Sequence, residues 1–304
     1  MKRILIIGGS GFIGKNIAYG LSKRGYQVKV YDKFNSFFNP NNINIKIGDF
    51  SDTVALKEAL VDIEIVVHLV STTTPAISNE NPCLDIKDNL INTINLLELM
   101  DSQGVKNLIF ASTGGAIYGQ TDVSIISELH ATNPTSSYGV VKLAIEKYLE
   151  IYKKKCGLNY TILRFSNPYG EYQNPHSGHG AIATFVWRAL NREAIQIWGD
   201  GEVARDFLYI SDLVDVIPKV IEFGNKAPIY NIGSGVKSTL NEIIQKISDN
   251  LPYDVEVIYG EPRGFDIKSN CLDITLATKD LKWMPKIKIE EGIKKLINYY
   301  ESIK

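Results

Sequence analysis

Residues 4–14, "ILIIGGSGFIG", decide the fold. Four consecutive apolar residues read as a buried strand, and Gly8, Gly11 and Gly14 follow at the start of an apolar helical run. Glycine there allows a tight turn, a close approach of backbone to a pyrophosphate, and close packing of helix on strand, while the helix N-terminus attracts phosphate charge. The spacing is G-x-x-G-x-x-G rather than the commoner G-x-G-x-x-G, and alone it is also explained by the sterics of a strand-helix turn. A second feature adds weight. Asp32 ends the next apolar segment, "VKVYD", about 20 residues on, where a carboxylate accepts hydrogen bonds from the adenosine ribose hydroxyls and repels a 2′-phosphate. Together they predict a site for NAD rather than NADP, with Lys33 the neighbour that pulls the other way. Phe12 and Ile13, inside the loop, and Leu69, after the fourth strand, are counted with that site. Asp49 and Phe50, in "GDFSD" at 48–52, are placed either to meet the adenine or to form a loop with a helix N-cap.

Outward from the loop the pattern repeats. "RILII", "QVKVY", "INIKIG", "EIVVHLV", "NLIFAST" and "YTILRF" read as buried strands, and stretches of helical period such as "LINTINLLELM" and "KLAIEKYLEIYKK" lie between most of them. The alternation predicts an α/β fold, a doubly wound (Rossmann) parallel sheet with helices on both faces. After residue 166 the rhythm loosens through "SNPYGEYQNPHSGHG", then gives a helix at "AIATFVWRAL" and short strands near 195–198 and 229–232. The expected organisation is a dinucleotide-binding domain over 1–166 with a returning segment at 206–234, and a smaller C-terminal α/β substrate domain from 167–205 and 235–304. A cleft between them is the expected ligand site.

Composition narrows the function. The 304 residues carry a net charge of −1 with no block of like charge, so neither nucleic acid nor an anionic membrane is an expected partner; a small polar ligand is. The three cysteines, Cys83, Cys156 and Cys271, are widely spaced and form no C-x-x-C pair, which argues against a disulfide framework or a zinc site. The apolar run near the start is broken at once by "GGSG", and no later segment approaches the length of a membrane span. A cytoplasmic protein is expected. His176 and His179, in "NPHSGHG", resemble a metal pair only in spacing; with Glu171 the only acidic neighbour, a lid loop is the expectation and no metal is assigned.

The chemistry is carried by "TSSYGVVKLAIE" at 135–146. Hydroxyl residues able to cap a helix precede Tyr138, and Lys142 lies four places on, so phenol and ammonium share one helix face. That spacing occurs three times, also at Tyr19 with Lys23 and Tyr300 with Lys304, so context must select among them. Only Tyr138 follows a strand, "FASTGGAIYG", that delivers Ser112 and Thr113 to the carboxyl edge of the sheet, where ligands of doubly wound folds bind.

On "GGSGFIG", Asp32, "GDFSD", "ASTGGAIYG", "YGVVK", "RFSNPYG", "GDGEVARDFLYISD", "YNIGSG", "PRGFD" and "LKWMPKIKIEEGI", essentially the whole chain resembles the extended short-chain dehydrogenases/reductases, and within them the UDP-glucose 4-epimerase-like nucleotide-sugar enzymes. The resemblance implies Tyr138 as the acid/base on a sugar hydroxyl. A free phenol titrates near pH 10, so it needs the Lys142 ammonium and the nicotinamide charge to favour phenolate near neutrality. It further implies Lys142 on the nicotinamide ribose, and Thr113, or failing that Ser112, on the same sugar oxygen. Asn167 falls to the diphosphate, Arg205 and Arg263 to phosphates, Asp266 to the uridine ribose, and Asn270 to the position that gates the sugar's 2-substituent. Asn270 is smaller than the tyrosine of strict glucose/galactose enzymes, which implies that N-acetylated sugars are admitted.

The expected activity is therefore NAD-dependent 4-epimerisation of a UDP-hexose. By resemblance, NAD stays bound throughout, a homodimer forms through the helices near 85–103 and 136–155, and surface polysaccharide assembly is the pathway. The chain departs from the pattern twice: "HLVSTTTPAI" has threonines where several epimerases have a lysine, and "GHGAIATF" lacks an asparagine used near the uracil. A 4,6-dehydratase or decarboxylase usually has an acidic residue just after the catalytic Ser/Thr, and Gly114 and Gly115 stand there instead. A nucleotide-4-keto-sugar reductase needs the same Tyr and Lys but external NADPH, against which Asp32 weighs. A non-catalytic NAD-binding sensor could dispense with Tyr138, Lys142 and Thr113 altogether.

Overall fold

The computed structural model describes residues 2–36, 42–73, 75–177, 180–224, 226–262 and 269–304. Among them a seven-stranded sheet is built from β1 (Arg3–Ile7), β2 (Gln27–Asp32), β3 (Ile43–Ile47), β4 (Ile65–His68), β5 (Asn107–Thr113), β6 (Asn159–Phe165) and β10 (Ile229–Ile232). The order is β10-β6-β5-β4-β1-β2-β3, and every pairing is parallel. Parallel strands need crossovers, and helices supply them on both faces.

Alternation within the strands explains the layering. Ile4 and Ile6 of β1, Val28 and Val30 of β2 and Ile109 of β5 face a core shared with α1 (Phe12–Lys23) and α8 (Ile210–Phe223). Leu5, Ile7, Tyr31, Leu108 and Phe110 point the other way, into a core with α2 (Thr53–Ala59), α5 (Asn92–Ser102) and α6 (Ser137–Cys156). Because both faces are buried, the strands read in sequence as near-continuous apolar runs.

The segment between β4 and α5 differs from the single helix expected over 90–100. It contains α3 (Pro75–Glu80), α4 (Pro82–Asp85) and then a π-helical turn over Ile86–Ile91 that leads into α5. A π turn widens the helix locally and is common beside functional sites.

The remaining elements are grafted on the carboxyl side. β7 (Asn167–Tyr169), which the sequence does not announce, pairs with β9 (Ala204–Tyr209), and β9 also pairs with β11 (Lys237–Thr239) and β13 (Ser269–Asn270). β8 (Ile195–Trp198) pairs with β12 (Val257–Gly260). Helices α7 (Ala181–Leu190), α9 (Leu240–Ser248), α10 (Thr275–Leu281) and α11 (Ile289–Ser302) pack with these strands and share a continuous core with α1 and α8. Asp206, fully buried in β9, ties this unit together: its carboxylate accepts from Ser234 N and Oγ (both 2.7 Å), Gly235 N (3.2 Å) and Leu272 N (3.2 Å).

One ion pair is buried between α6 and β6. Arg164 donates from Nη2 to Glu146 Oε2 (2.6 Å) and from Nε to Oε1 (3.1 Å), with both side chains under 5% exposed. Removing one partner strands a charge in a dry environment, a loss of about 3–5 kcal/mol. Arg164→Ala is expected to lower stability by that amount in urea unfolding followed by circular dichroism; a loss under about 1 kcal/mol would contradict the assignment.

Candidate active site

The turn after β1 is shaped by its glycines. Gly8 has φ +84°, and a Cβ there would stand 2.9 Å from Val70 N, while one at Gly14 would stand 2.3 Å from Gly8 O. Only glycine lets α1 pack this tightly on the turn. Gly11 differs: a Cβ there would meet only Gly8 O at 3.6 Å and would otherwise project into a cleft of ≈ 420 Å³ that Gly11 lines with Gly8, Ser10, Asp32, Phe50 and Leu69. Gly11 is also the N-cap of α1 and offers no side-chain cap, and no acidic residue occupies the first turn, so the helix N-terminus is left for an anion.

Asp32 closes the same cleft. Its Oδ2 accepts from Ser10 N (2.9 Å) and its Oδ1 from Phe34 N (3.3 Å), which pins the carboxylate against the glycine turn with lone pairs to spare for ribose hydroxyls. Ser36 Oγ donates to Ser10 O (2.8 Å) and Lys15 donates to Ser36 O, sewing the 32–36 segment to the turn. Asp49 is engaged on both oxygens: Lys33 lies 2.8 Å from Oδ2, and Ser51 donates to Oδ1 through N and Oγ. Lys33 above all, with Ser51, holds the Asp49 carboxyl down at about 2. The N-cap of α2 is instead Asp52, whose side chain accepts from Val54 N and Ala55 N. Phe12 and Ile13 are half-buried in the opening turn of α1 and pack on the core rather than line the cleft. A larger groove of ≈ 1040 Å³ lies at the amino ends of β2 and β3, beside Gln27, Asn42 and Ile63. Parallel α/β sheets bind ligands at the carboxyl ends, so the cleft at the glycine turn is the one that fits a dinucleotide.

Helix α6 brings the Tyr138–Lys142 pair to this edge. Ser136 caps it by accepting from Gly139 N (3.2 Å), and its first turn is docked on α3: Ser78 Oγ accepts from Tyr138 N (2.7 Å) and Asn79 Oδ1 from Ser137 N (2.9 Å). Lys142 is 4% exposed; its Nζ donates to Ala111 O at the end of β5 (3.0 Å) and lies 4.8 Å from the Phe110 ring and 5.8 Å from the Tyr138 ring. Burial pulls the Lys142 ammonium down to about 8, with the Asp85 and Glu146 carboxylates acting against the shift. Burial, and then Asp85, push the Tyr138 phenol up to about 12, while a hydrogen bond from Ser71, which also lines the dinucleotide cleft, acts the other way. The chain's own groups therefore keep the phenol protonated, and an added positive charge beside it is what would release the proton. His68, on the neighbouring strand between Phe50 and Phe110, is pushed down to about 3 by burial and the Lys142 charge and stays neutral.

The two hydroxyls at the end of β5 have different surroundings. Ser112 faces α6, is buried, and donates to Glu146 Oε1 (2.6 Å), which makes it part of the Arg164 ion pair. Thr113 is half-buried and its Oγ1 accepts from Ala116 N (3.2 Å), so its own proton is left for another acceptor. Tyr138, Lys142 and Glu146 recur every four residues, and that extended stripe was a sequence signal for Glu146. Ser71, Ser78 and Asp85 carried no such signal.

The grafted unit faces this edge. Asn270 pairs in register with Arg205, and its Nδ2 donates to Gly114 O (3.0 Å), just beyond Thr113. Asn270 is 2% exposed and its Oδ1 has no hydrogen-bond partner among the described residues. Asn167 Nδ2 donates to Asp206 O (3.0 Å), and Arg205, half-buried, donates to Ala204 O (3.0 Å). Arg263 and Asp266 lie outside the described residues, as does His179. His176 packs edge-on against Trp187, 5.3 Å between ring centroids. Among the described residues no group of three or more His, Cys, Asp or Glu is placed to hold a metal ion, and no helix is long and apolar enough to cross a membrane.

A doubly wound sheet with a glycine turn on β1 and a lysine buried at its carboxyl edge is the frame of a dinucleotide-dependent α/β enzyme. Residues 4–233 match the NAD dependent epimerase/dehydratase family, and the chain belongs to that family. NAD is accordingly its cofactor, and the uncapped α1, the cleft at Gly11 and the pinned Asp32 fit it. A Methanocaldococcus jannaschii protein provisionally named UDP-glucose 4-epimerase is 35% identical, over 98% of both chains. The dTDP-4-dehydro-6-deoxyglucose reductase of Escherichia coli is 32% identical, over 97% of this chain and 96% of that one. Among solved structures, UDP-glucose 4-epimerase of Thermotoga maritima with UDP-glucose superposes with a TM-score of 0.94 at 36% identity, covering 99% of each chain.

Charge-assisted hydrogen bonds of the Asp32 kind contribute about 1.5–3 kcal/mol. Asp32→Asn is expected to weaken NAD binding about tenfold or more and to narrow the preference over NADP, read by calorimetry on cofactor-stripped protein. Unchanged affinity for both dinucleotides would contradict the placement.

Proposed function

We propose that the chain is an NAD-dependent 4-epimerase of a UDP-hexose, accepting the N-acetylated glucose/galactose pair as well as the plain one. The observation that carries this is the Tyr138–Lys142 pair on one face of α6, docked at the carboxyl end of β5 beside the dinucleotide cleft, with Gly114 and Gly115 where a dehydratase would need an acid. NAD, when bound, supplies a positively charged ring that takes up the carbon-4 hydride and gives it back. Tyr138 would accept the proton of the 4-hydroxyl, Thr113 would donate to the same oxygen, and Lys142, whose charge stands by the phenol, would bind the nicotinamide ribose. The resulting 4-keto sugar turns in the cleft, and Tyr138 returns the proton once the hydride reaches the opposite face. Nothing is consumed.

The nucleotide half of the substrate is assigned to Asn167, Arg205, Arg263 and Asp266, for which arginine's paired donors suit phosphate oxygens. Asn270 Oδ1, which has no partner among the described residues, can accept from the sugar's 2-substituent, and it is the small size of Asn270 that supports room for an acetamido group. Two subunits are proposed to pair through the π turn, α5 and α6, where Ile86, Ile91, Val140 and Ile151 are each exposed by 42–53%. The 32% identity to a 4-keto-sugar reductase supports a second reading, in which NADPH arrives from solution and the ketone is the substrate. Asp32 in the ribose position favours the epimerase.

Losing the acid/base group removes at least about a hundredfold in rate. Tyr138→Phe is expected to abolish interconversion by that factor while NAD still copurifies; retained turnover would remove Tyr138 from the mechanism. Asn270→Tyr is expected to suppress turnover of UDP-N-acetylglucosamine and spare UDP-glucose, measured as the ratio of kcat/KM for the two. Equal loss on both sugars would show that Asn270 does not face the 2-substituent.

A further inference from the structure

Asp85 ends α4, just ahead of the π turn, and is fully buried. Its Oδ1 accepts from Thr73 Oγ1 (2.7 Å) and from Asn89 Nδ2 (2.7 Å), and Ser137 Oγ donates toward Oδ2 (3.4 Å). Asn89 also donates to Thr73 Oγ1 (3.2 Å) and accepts from Thr72 N (3.0 Å). One carboxylate thus fastens three things: the 71–73 segment that follows β4, the π turn, and the residue beside Tyr138. Among the described residues its hydrogen-bonding partners are all neutral, so hydrogen bonds alone offset the cost of burying it.

We propose that Asp85 is a positioning residue for Tyr138, holding the 71–73 segment against the first turn of α6 and placing a negative charge beside the acid/base group. This rests on the assignment of Tyr138 above. The Asp85 charge opposes phenolate, as the raised Tyr138 already reflects, and it also supports the Lys142 ammonium against desolvation. Tyr138 then surrenders its proton only when a further positive charge joins that of Lys142, which would couple proton removal to the oxidised cofactor. Thr72 and Thr73 are accordingly part of a hydrogen-bonded support.

The described charges nearest the first turns of α6 are otherwise engaged or exposed. On α6 itself Lys142 faces the Tyr138 ring and Glu146 is paired with Arg164 of β6. From α3 and the π turn, Glu80 and Lys87 are exposed, and Asp88 acts on Lys33. From α5, Glu98 is paired with Lys155 and Asp101 with Lys106. Within β5 there is no charged residue. Among the described residues, Asp85 is the one buried carboxylate acting on the phenol.

The test is a titration of the NAD-loaded protein by phenolate ultraviolet difference absorbance, for wild type, Tyr138→Phe, Asp85→Asn and Asp85→Glu. In wild type one phenol should ionise below the ordinary value of about 10, and it should be missing from Tyr138→Phe. Removing a nearby negative charge favours phenolate, so in Asp85→Asn that phenol should ionise about one pH unit lower, with the acid limb of turnover moving down alongside it. Asp85→Glu, which keeps the charge, should titrate close to wild type. If Asp85→Asn does not fold, Asp85→Ser carries the same expectation. A phenol that titrates at the wild-type pH in the uncharged variant would overturn the role of Asp85 while leaving Tyr138 in place. Absence of any such phenol in wild type would overturn both.

Discussion

The site depends on burying the Lys142 ammonium against the end of β5. A charge 96% removed from solvent needs a fixed acceptor, and the carbonyl of Ala111 provides it. That contact fixes the rotation and the height of α6 on the sheet. Tyr138, one turn nearer the N-terminus, is thereby carried to the carboxyl edge, and Glu146, one turn further along, is carried into the interior where Arg164 and Ser112 meet it. A helix turned otherwise would bury the wrong groups.

The grafted unit depends on a second buried charge used in a different manner. Asp206 collects four donors from two separate segments, 234–235 and Leu272, and the backbone of its own residue receives Asn167. This holds β7, β9, β13 and the turn at 233–235 together, so Arg205 and Asn270 stand as neighbours and Asn270 reaches Gly114. The two units are therefore joined where the chemistry is proposed to occur, through Asn270 to the residue after Thr113. Burial raises the Asp206 carboxyl and its donors pull it back, the usual contest for a hub of this kind.

What was legible in the sequence follows from how local each feature is. The strands were readable because both faces of a parallel sheet are buried, so apolar runs at "RILII" and "NLIFAST" need no partner to be recognised. The glycine turn and Asp32 were readable because their spacing is set by one βαβ unit. Tyr138 and Lys142 were readable only once two identical spacings had been set aside by their place in the chain. Asp85, Ser71 and Ser78 were not, because their roles arise from packing of the 71–91 segment on α6, a contact with no sequence period. The π turn gives the same signal as ordinary helix, since an extra residue in one turn hardly disturbs an apolar pattern. β7 escaped because three residues, one of them Pro168, carry no strand signal. Thr113 and Ser112 are adjacent and chemically alike, and only the fold shows that one is tied to Glu146.

The most direct test is to incubate the purified protein, with no cofactor added, with UDP-glucose and with UDP-N-acetylglucosamine separately, and to follow the carbon-4 configuration by proton NMR. The account predicts that the galacto product appears from both sugars, since the hydride leaves and returns within one active site holding its own NAD. No change at carbon 4 in either sugar would contradict it and would favour a reductase, a dehydratase or a different nucleotide sugar.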